Sequence, residues 1–380
     1  MDFKPETWRN WGKPKTDAVD ALPKHLEEVN DILMQHASGL TDPGLLNGKM
    51  GISLYFFYLA KHTSSPAHQT FAETMLDEVY EHIQQNKTTC GFADGLAGIA
   101  WAIVHLIENR FVEADADEIL SDADDQIYYH LHQPPEMNFG FSDGLLGYLY
   151  YVISRIKWRE SARIEGDFVF ERLLADLLNR AAGTIDDRRW RLEEPPFFNL
   201  NWDLPLLLLL LGGTKSLSLY ESKLDKMINS IEPSVLSYLP RHQANKLYLL
   251  YSITELLKYF DLPALRCHGE MIRTYIDPAA LIDKELGDKN IFLSNGLSGL
   301  YFILQGLDLP FLSSGDTGEL NISDRIQQSQ YFQSIIKGDQ KTAPNLGLLN
   351  GLTGIGFQFL WQINHAVKRP SLLPNYQQFT

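Results

Sequence analysis

Residues 92–107 read FADGLAGIAWAIVHLI: an Asp-Gly-x-x-Gly element that runs straight into an apolar stretch. The same pattern recurs at 45–60 (LLNGKMGISLYFFYLA), 141–156 (FSDGLLGYLYYVISRI), 293–307 (LSNGLSGLYFILQGL) and 348–363 (LLNGLTGIGFQFLWQI). A stretch that is apolar almost all round suits a helix only when neighbours cover it on most sides. The Asn or Asp before each first glycine is expected to cap the helix start, and the glycines to let backbones approach closely. Two degenerate copies fill the remaining gaps, one at 200–213 beginning LNWDLPLLLLLLG, the other at 241–257 reading RHQANKLYLLYSITELL.

Aligning Gly48, Gly95, Gly144, Trp202, Gln243, Gly296 and Gly351 gives seven units with a period of roughly 50 residues, enough for two helices and two connections. Amphipathic segments with charged faces lie between them, at 17–36, 66–85, 115–130, 167–182, 220–231, 263–275 and 322–337. Buried and amphipathic helices in alternation predict an all-α fold, a double-layered α/α toroid of seven hairpins with the Gly-x-x-Gly loops at the inner-helix N-termini. An open solenoid would need polar capping repeats, and the last copy is as apolar as the middle ones. The expectation is one domain spanning 1–380.

Composition narrows the function. Lys and Arg number 33 against 48 Asp and Glu, a formal net charge of −15, which argues against nucleic acid or an anionic membrane as partner. The longest apolar run, 204–211, is far shorter than the ~20 residues of a membrane helix. Cys90 and Cys267 are the two cysteines, a usage that fits a reducing cytoplasm and supplies too few thiols for a disulfide framework or a four-Cys zinc site. No phosphate-binding loop, nucleophile elbow or His-Glu-x-x-His helix is present, and the repeated Gly-x-x-Gly follows no strand.

On its five glycine copies and their seven-unit order, the chain resembles the lanthionine synthetase C-like family from about residue 17 to residue 366. The resemblance implies maturation of ribosomally made peptides, in which a Cys thiol adds to a dehydrated Ser or Thr to close a thioether ring. It also implies a zinc ion that activates the thiol, held by three protein ligands with the fourth position open. The family's first zinc-binding Cys falls on Arg241 and its Cys-His pair on Ser294 and Asn295. Its repeat-four His falls on Asn201 and its repeat-three Asp on Gly140. None of these is a zinc ligand of the expected type, so zinc is implied by resemblance alone and no cofactor is read from the residues. A Cys-His-Gly triplet does occur at Cys267, His268 and Gly269, but it lies in a predicted outer helix, where neighbouring side chains point about 100° apart.

The candidate site residues follow from position. His242 precedes the fifth inner helix and is a general-base candidate, the alternative being a hydrogen-bonded loop histidine. Asp94 and Asp143 can act as an acid/base pair or simply as helix caps. Trp202, Asp203, Arg241, Ser294 and Asn295 occupy the loop face and are substrate-binding candidates. Several helix N-termini around one depression would offer free N–H donors to a carbonyl-rich or anionic ligand. Glu193 and Glu194, before Pro195-Pro196, read as a solvated loop. The partner implied is a precursor peptide or a peptide-modifying enzyme. The rival readings are a carbohydrate-active α/α toroid using Asp94 and Asp143, and a non-catalytic peptide-binding scaffold.

Overall fold

The computed structural model describes residues 22–85, 88–133, 137–164, 168–186, 193–286, 290–307, 309, 322–338 and 344–365. Among them every regular element is helical. The helices are α1 (Lys24–His36), α2 (Lys49–Thr63), α3 (Pro66–Gln84), α4 (Leu96–Glu108), α5 (Ala116–His132), α6 (Leu145–Ala162), α7 (Val169–Asp186), α8 (Asp203–Lys215), α9 (Glu221–Leu236), α10 (Gln243–Leu256), α11 (Pro263–Thr274), a single turn α12 (Pro278–Ala280), α13 (Leu297–Gln305), α14 (Ile322–Gln328), α15 (Gln330–Ile336) and α16 (Leu352–His365).

Contacts divide the chain into two compact units. Among the described residues, the first holds those of 22–133 and 323–365, the second those of 137–322. In the first, α2 packs on α3, α4 on α5, α2 on α4, and α16 on both α2 and α1. The last buried helix thus takes the first amphipathic helix as its partner, and the two ends of the described chain meet within one unit. In the second, α6, α8, α10 and α13 follow one another side by side, with α7, α9 and α11 in an outer row.

Burial separates the two helix types as the hydropathy predicts. Every residue of α2 from Lys49 to Ala60 is buried, as is every residue of α8 from Leu204 to Thr214. The outer helices bury a single stripe: Ala72, Met75 and Val79 in α3, and Leu265, His268, Gly269 and Ile272 in α11. At about 2 kcal/mol for each buried leucine, the six-leucine run 206–211 of α8 contributes heavily to the core of its unit. One predicted outer helix is broken: Ser329 ends α14 and caps α15 by accepting the Phe332 N–H at 3.1 Å.

Candidate functional site

The five glycine-bearing loops share one backbone scheme. The residue after each first glycine donates its N–H to the carbonyl seven positions upstream: Lys49 to Asp42, Leu96 to Thr89, Leu145 to Asn138, Leu297 to Asn290 and Leu352 to Asn345, all at 2.8–2.9 Å. The next N–H repeats the register, as from Met50 to Pro43 and from Thr353 to Leu346. The loop therefore folds back on its own helix start. A Cβ on Gly51, Gly98 or Gly299 would overlap the carbonyl of Leu45, Phe92 or Leu293, which explains the second glycine.

This corrects two expectations. The first-turn donors are consumed by loop carbonyls and do not face a ligand, and the helix caps are the glycines themselves, with no side-chain cap at Gly48, Gly95, Gly144 or Gly296. The preceding Asn or Asp does other work. Asn47 donates its amide to Asp94 Oδ1 at 2.8 Å, joining the first and second loops. Backbone bonds continue the chain of loops, from Leu46 N–H to Ala93 at 2.8 Å and from Leu349 N–H to Leu46 at 2.9 Å. Asp94 is half-buried and belongs to the first unit; Asp143 is exposed and belongs to the second.

The degenerate repeats of the second unit are held differently. Without glycines or an Asn/Asp cap, the N-terminus of α10 is closed by two carboxylates from distant segments. Glu194 accepts the N–H groups of Arg241 at 2.7 Å and His242 at 2.8 Å, and the Asn245 amide at 3.0 Å. Glu285 accepts the N–H groups of Gln243 at 2.6 Å and Ala244 at 3.0 Å. Negative charge at a helix start is favoured by the helix dipole. The Glu194 side chain is 2% exposed, so it is no solvated loop residue. Its role was missed because nothing next to it in sequence needs a carboxylate. The only clue was a buried helix, beginning RHQAN, that lacked any cap of its own.

Around this cap the structure gathers several of the sequence candidates. Glu194 N–H donates to the Tyr238 hydroxyl at 2.7 Å, and the Tyr238 ring lies 6.0 Å from that of Trp202. Leu200 donates to the Ser294 carbonyl at 2.7 Å, and its own carbonyl accepts the Tyr248 hydroxyl at 2.9 Å. Trp202 and His242 are therefore linked through Tyr238 and Glu194, and Ser294 and Tyr248 through Leu200. Trp202 is 4% exposed, and its indole N–H is buried with no partner among the described residues. Burial pushes the Asp203 carboxyl up to about 6. It also raises the Tyr248 hydroxyl, with the Asp203 charge adding to the effect. His242 is half-buried at the start of α10. The Arg241 side chain is 83% exposed, Asn295 is exposed and Ser294 is buried.

Zinc does not fit these positions. A guanidinium stays protonated and has no lone pair to give, while a serine hydroxyl and a carboxamide are weak replacements for thiolate and imidazole. Arg241 carries its charge out toward solvent. In the Cys-His-Gly triplet, Cys267 is exposed, whereas His268 is buried with Nε2 3.0 Å from the Tyr238 carbonyl. Cys90 lies in the first unit, its Sγ 3.8 Å from the Gln126 carbonyl. Among the described residues no three His, Cys, Asp or Glu side chains come together as a metal would require.

Residues 17–176 match the sequence model of the family described as Lanthionine synthetase C-like protein. Over those residues the chain is similar to that family. That match covers the first three repeats and ends inside α7, before the degenerate repeats. Among solved structures, the chain is similar to one titled nisin cyclase, an α/α toroid, with a TM-score of 0.57 over 93% of this chain and 97% of that one. Their sequences are 14% identical, so the likeness is one of fold. No curated protein matches the chain in sequence. Among the described residues no helix is long and apolar enough to cross a membrane.

Proposed function

We propose that this lanthionine synthetase C-like chain acts in maturation of ribosomally made peptides by binding a dehydrated precursor peptide at the Trp202–Asp203–His242 cluster, without a zinc-activated thiolate. The observation that carries this reading is the composition of that cluster. On the resemblance, the family's zinc positions fall on Arg241, Ser294 and Asn295, none a ligand of the expected type, and the cluster holds a buried indole N–H with no partner among the described residues. A dehydrated peptide is rich in carbonyl acceptors, and one carbonyl on Trp202 Nε1 would satisfy a donor that is otherwise costly to bury. The two thiols fit a reducing cytoplasm as the place of action.

The test uses a peptide carrying both a dehydrated Ser and a free Cys. Adding a thiol across that double bond leaves the mass unchanged, so alkylatable thiols are counted before and after incubation. The expected result is peptide retained by the protein with its thiol count unaltered. A peptide that is not retained contradicts the proposal.

A second reading is favoured by Asp203. A carboxyl titrating near 6 can exchange a proton at neutral pH, which a metal-free thiol addition would require of some group. Thiol loss in the presence of a chelator, abolished in Asp203→Asn, would select that reading. Asp94, whose carboxylate accepts the Asn47 amide, is better understood as a link between loops than as half of a glycosidase pair.

A further inference from the structure

At the end of the first unit away from the glycine loops, the C-termini of α2 and α4 and the start of α3 enclose an open cavity of about 520 Å³. Its lining includes Lys61, Arg110, Ser64, Ser65, Gln69 and Phe111, and no acidic residue contributes to it. On a chain with a formal net charge of −15, a pocket with two cations and no carboxylate runs against the average surface. Neither Lys61 nor Arg110 forms an ion pair among the described residues. Lys61 Nζ lies over the Phe111 ring, 4.9 Å from its centroid. The Gln69 amide is tied to Glu73 at 2.8 Å, and the Ser65 oxygen accepts the His68 N–H at 3.5 Å at the start of α3, which leaves the Ser65 hydroxyl proton, Ser64 and the two cations as the pocket's donors.

The backbone presents these groups at some cost. Ser64 closes α2 with φ 51° and Arg110 follows α4 with φ 58°, both in the left-handed region where a glycine is more comfortable. Arg110 is fixed there by its N–H to Ile107 at 3.0 Å and by the Phe111 N–H to Leu106 at 2.9 Å. Burial lowers the Lys61 ammonium, and no acidic neighbour offsets that effect. An anion entering the pocket would supply the missing partner.

We propose that this cavity binds a small phosphate-bearing molecule, with Lys61 and Arg110 as charge partners, Ser64 and Ser65 as hydroxyl donors and Phe111 as an apolar wall. Lysine and arginine together with hydroxyls are a donor set suited to phosphate oxygens. The volume lies in the range of small-ligand sites.

Calorimetric titration of the full chain with inorganic pyrophosphate tests this, with inorganic phosphate, sulfate and acetate as comparisons. Pyrophosphate is expected to bind, and more tightly than acetate. Arg110→Gly removes the cation while relieving the left-handed strain, so its melting temperature should be equal or higher while its pyrophosphate affinity falls at least about 10-fold. Lys61→Gln should weaken binding by a similar factor. No heat with wild-type protein up to ~10 mM pyrophosphate would overturn the proposal, since such affinity has no use in discrimination. Wild-type affinity retained in both variants, or acetate binding as well as pyrophosphate, would overturn it too.

Discussion

Glu194 Oε1 accepts the backbone N–H of His242 at 2.8 Å across 48 residues of sequence, and its other oxygen takes the N–H of Arg241. This buried carboxylate thus shares with Glu285 the closing of a helix start that lacks the Asn/Asp-Gly element of its neighbours. It also fixes the backbone of the one histidine preceding an inner helix. Glu194→Ala leaves two backbone donors and the Asn245 amide unpaired, and is expected to lower stability by about 3 kcal/mol in urea unfolding. Glu194→Gln keeps one acceptor and should lose less. Equal stability of Glu194→Ala and wild type would contradict the capping role.

A matched pair of glycine substitutions separates close approach from helix propensity. Gly98→Ala places a methyl against the Phe92 carbonyl and should cost about 3 kcal/mol or more, because backbone must move. Gly183→Ala, in the exposed face of α7 with nothing within 4 Å of the new methyl, should gain about 0.5–1 kcal/mol. Thermal unfolding of the two variants reads both signs at once.

Much of the fold was legible in the sequence because the deciding signals are local. Gly-x-x-Gly followed by an all-apolar run located α2, α4, α6, α13 and α16, and the single apolar stripes located α3, α5, α7, α9 and α11 to within about five residues; the segment expected at 17–36 starts ahead of α1, with 17–21 outside the described residues, and the break at Ser329 was not seen. The site was less legible. Loop carbonyls at 42, 89, 138, 290 and 345 occupy donors that sequence alone left free, and neither Glu194 nor Glu285 carries any local mark of capping a helix more than 40 residues away. Trp202 and Asp203 were found because they stand where a repeat should have had glycine; their burial and partners depend on Leu200, Tyr238 and Tyr248, brought in by tertiary packing.

Trp202→Phe removes an indole N–H that is buried without a partner. Losing that donor should offset the lost ring volume and leave stability within about 1 kcal/mol of wild type. If the indole receives a peptide carbonyl, the same variant should bind the dehydrated peptide at least about 5-fold more weakly. Unchanged peptide affinity by calorimetry would remove Trp202 from the binding site.

Asp203 should write its burial into the pH dependence of stability. Its carboxyl titrates near 6 when folded and near the ordinary 3.8 when unfolded. Below about pH 4 both states are protonated and there is no penalty. Between pH 4 and 6 the unfolded state ionises first, so stability falls as pH rises, and above 6 the full cost applies. At ~1.4 kcal/mol for each pH unit between the two values, reduced for residual solvent contact, that cost is about 1–2 kcal/mol. Asp203→Asn should therefore be the more stable protein at pH 8 and lose its advantage near pH 4. An advantage that is the same at both ends would show that burial does not hold the carboxyl near 6.

The most direct measurement is the metal content of the purified full chain, produced with zinc in the medium and analysed beside its Cys267→Ser/His268→Ala variant. Held by Arg241, Ser294 and Asn295, zinc should not persist, and fewer than about 0.1 zinc per chain is expected in both proteins. About one zinc per chain, in either protein, would contradict a metal-free peptide site. Its loss in the double variant would locate the metal at the triplet on α11.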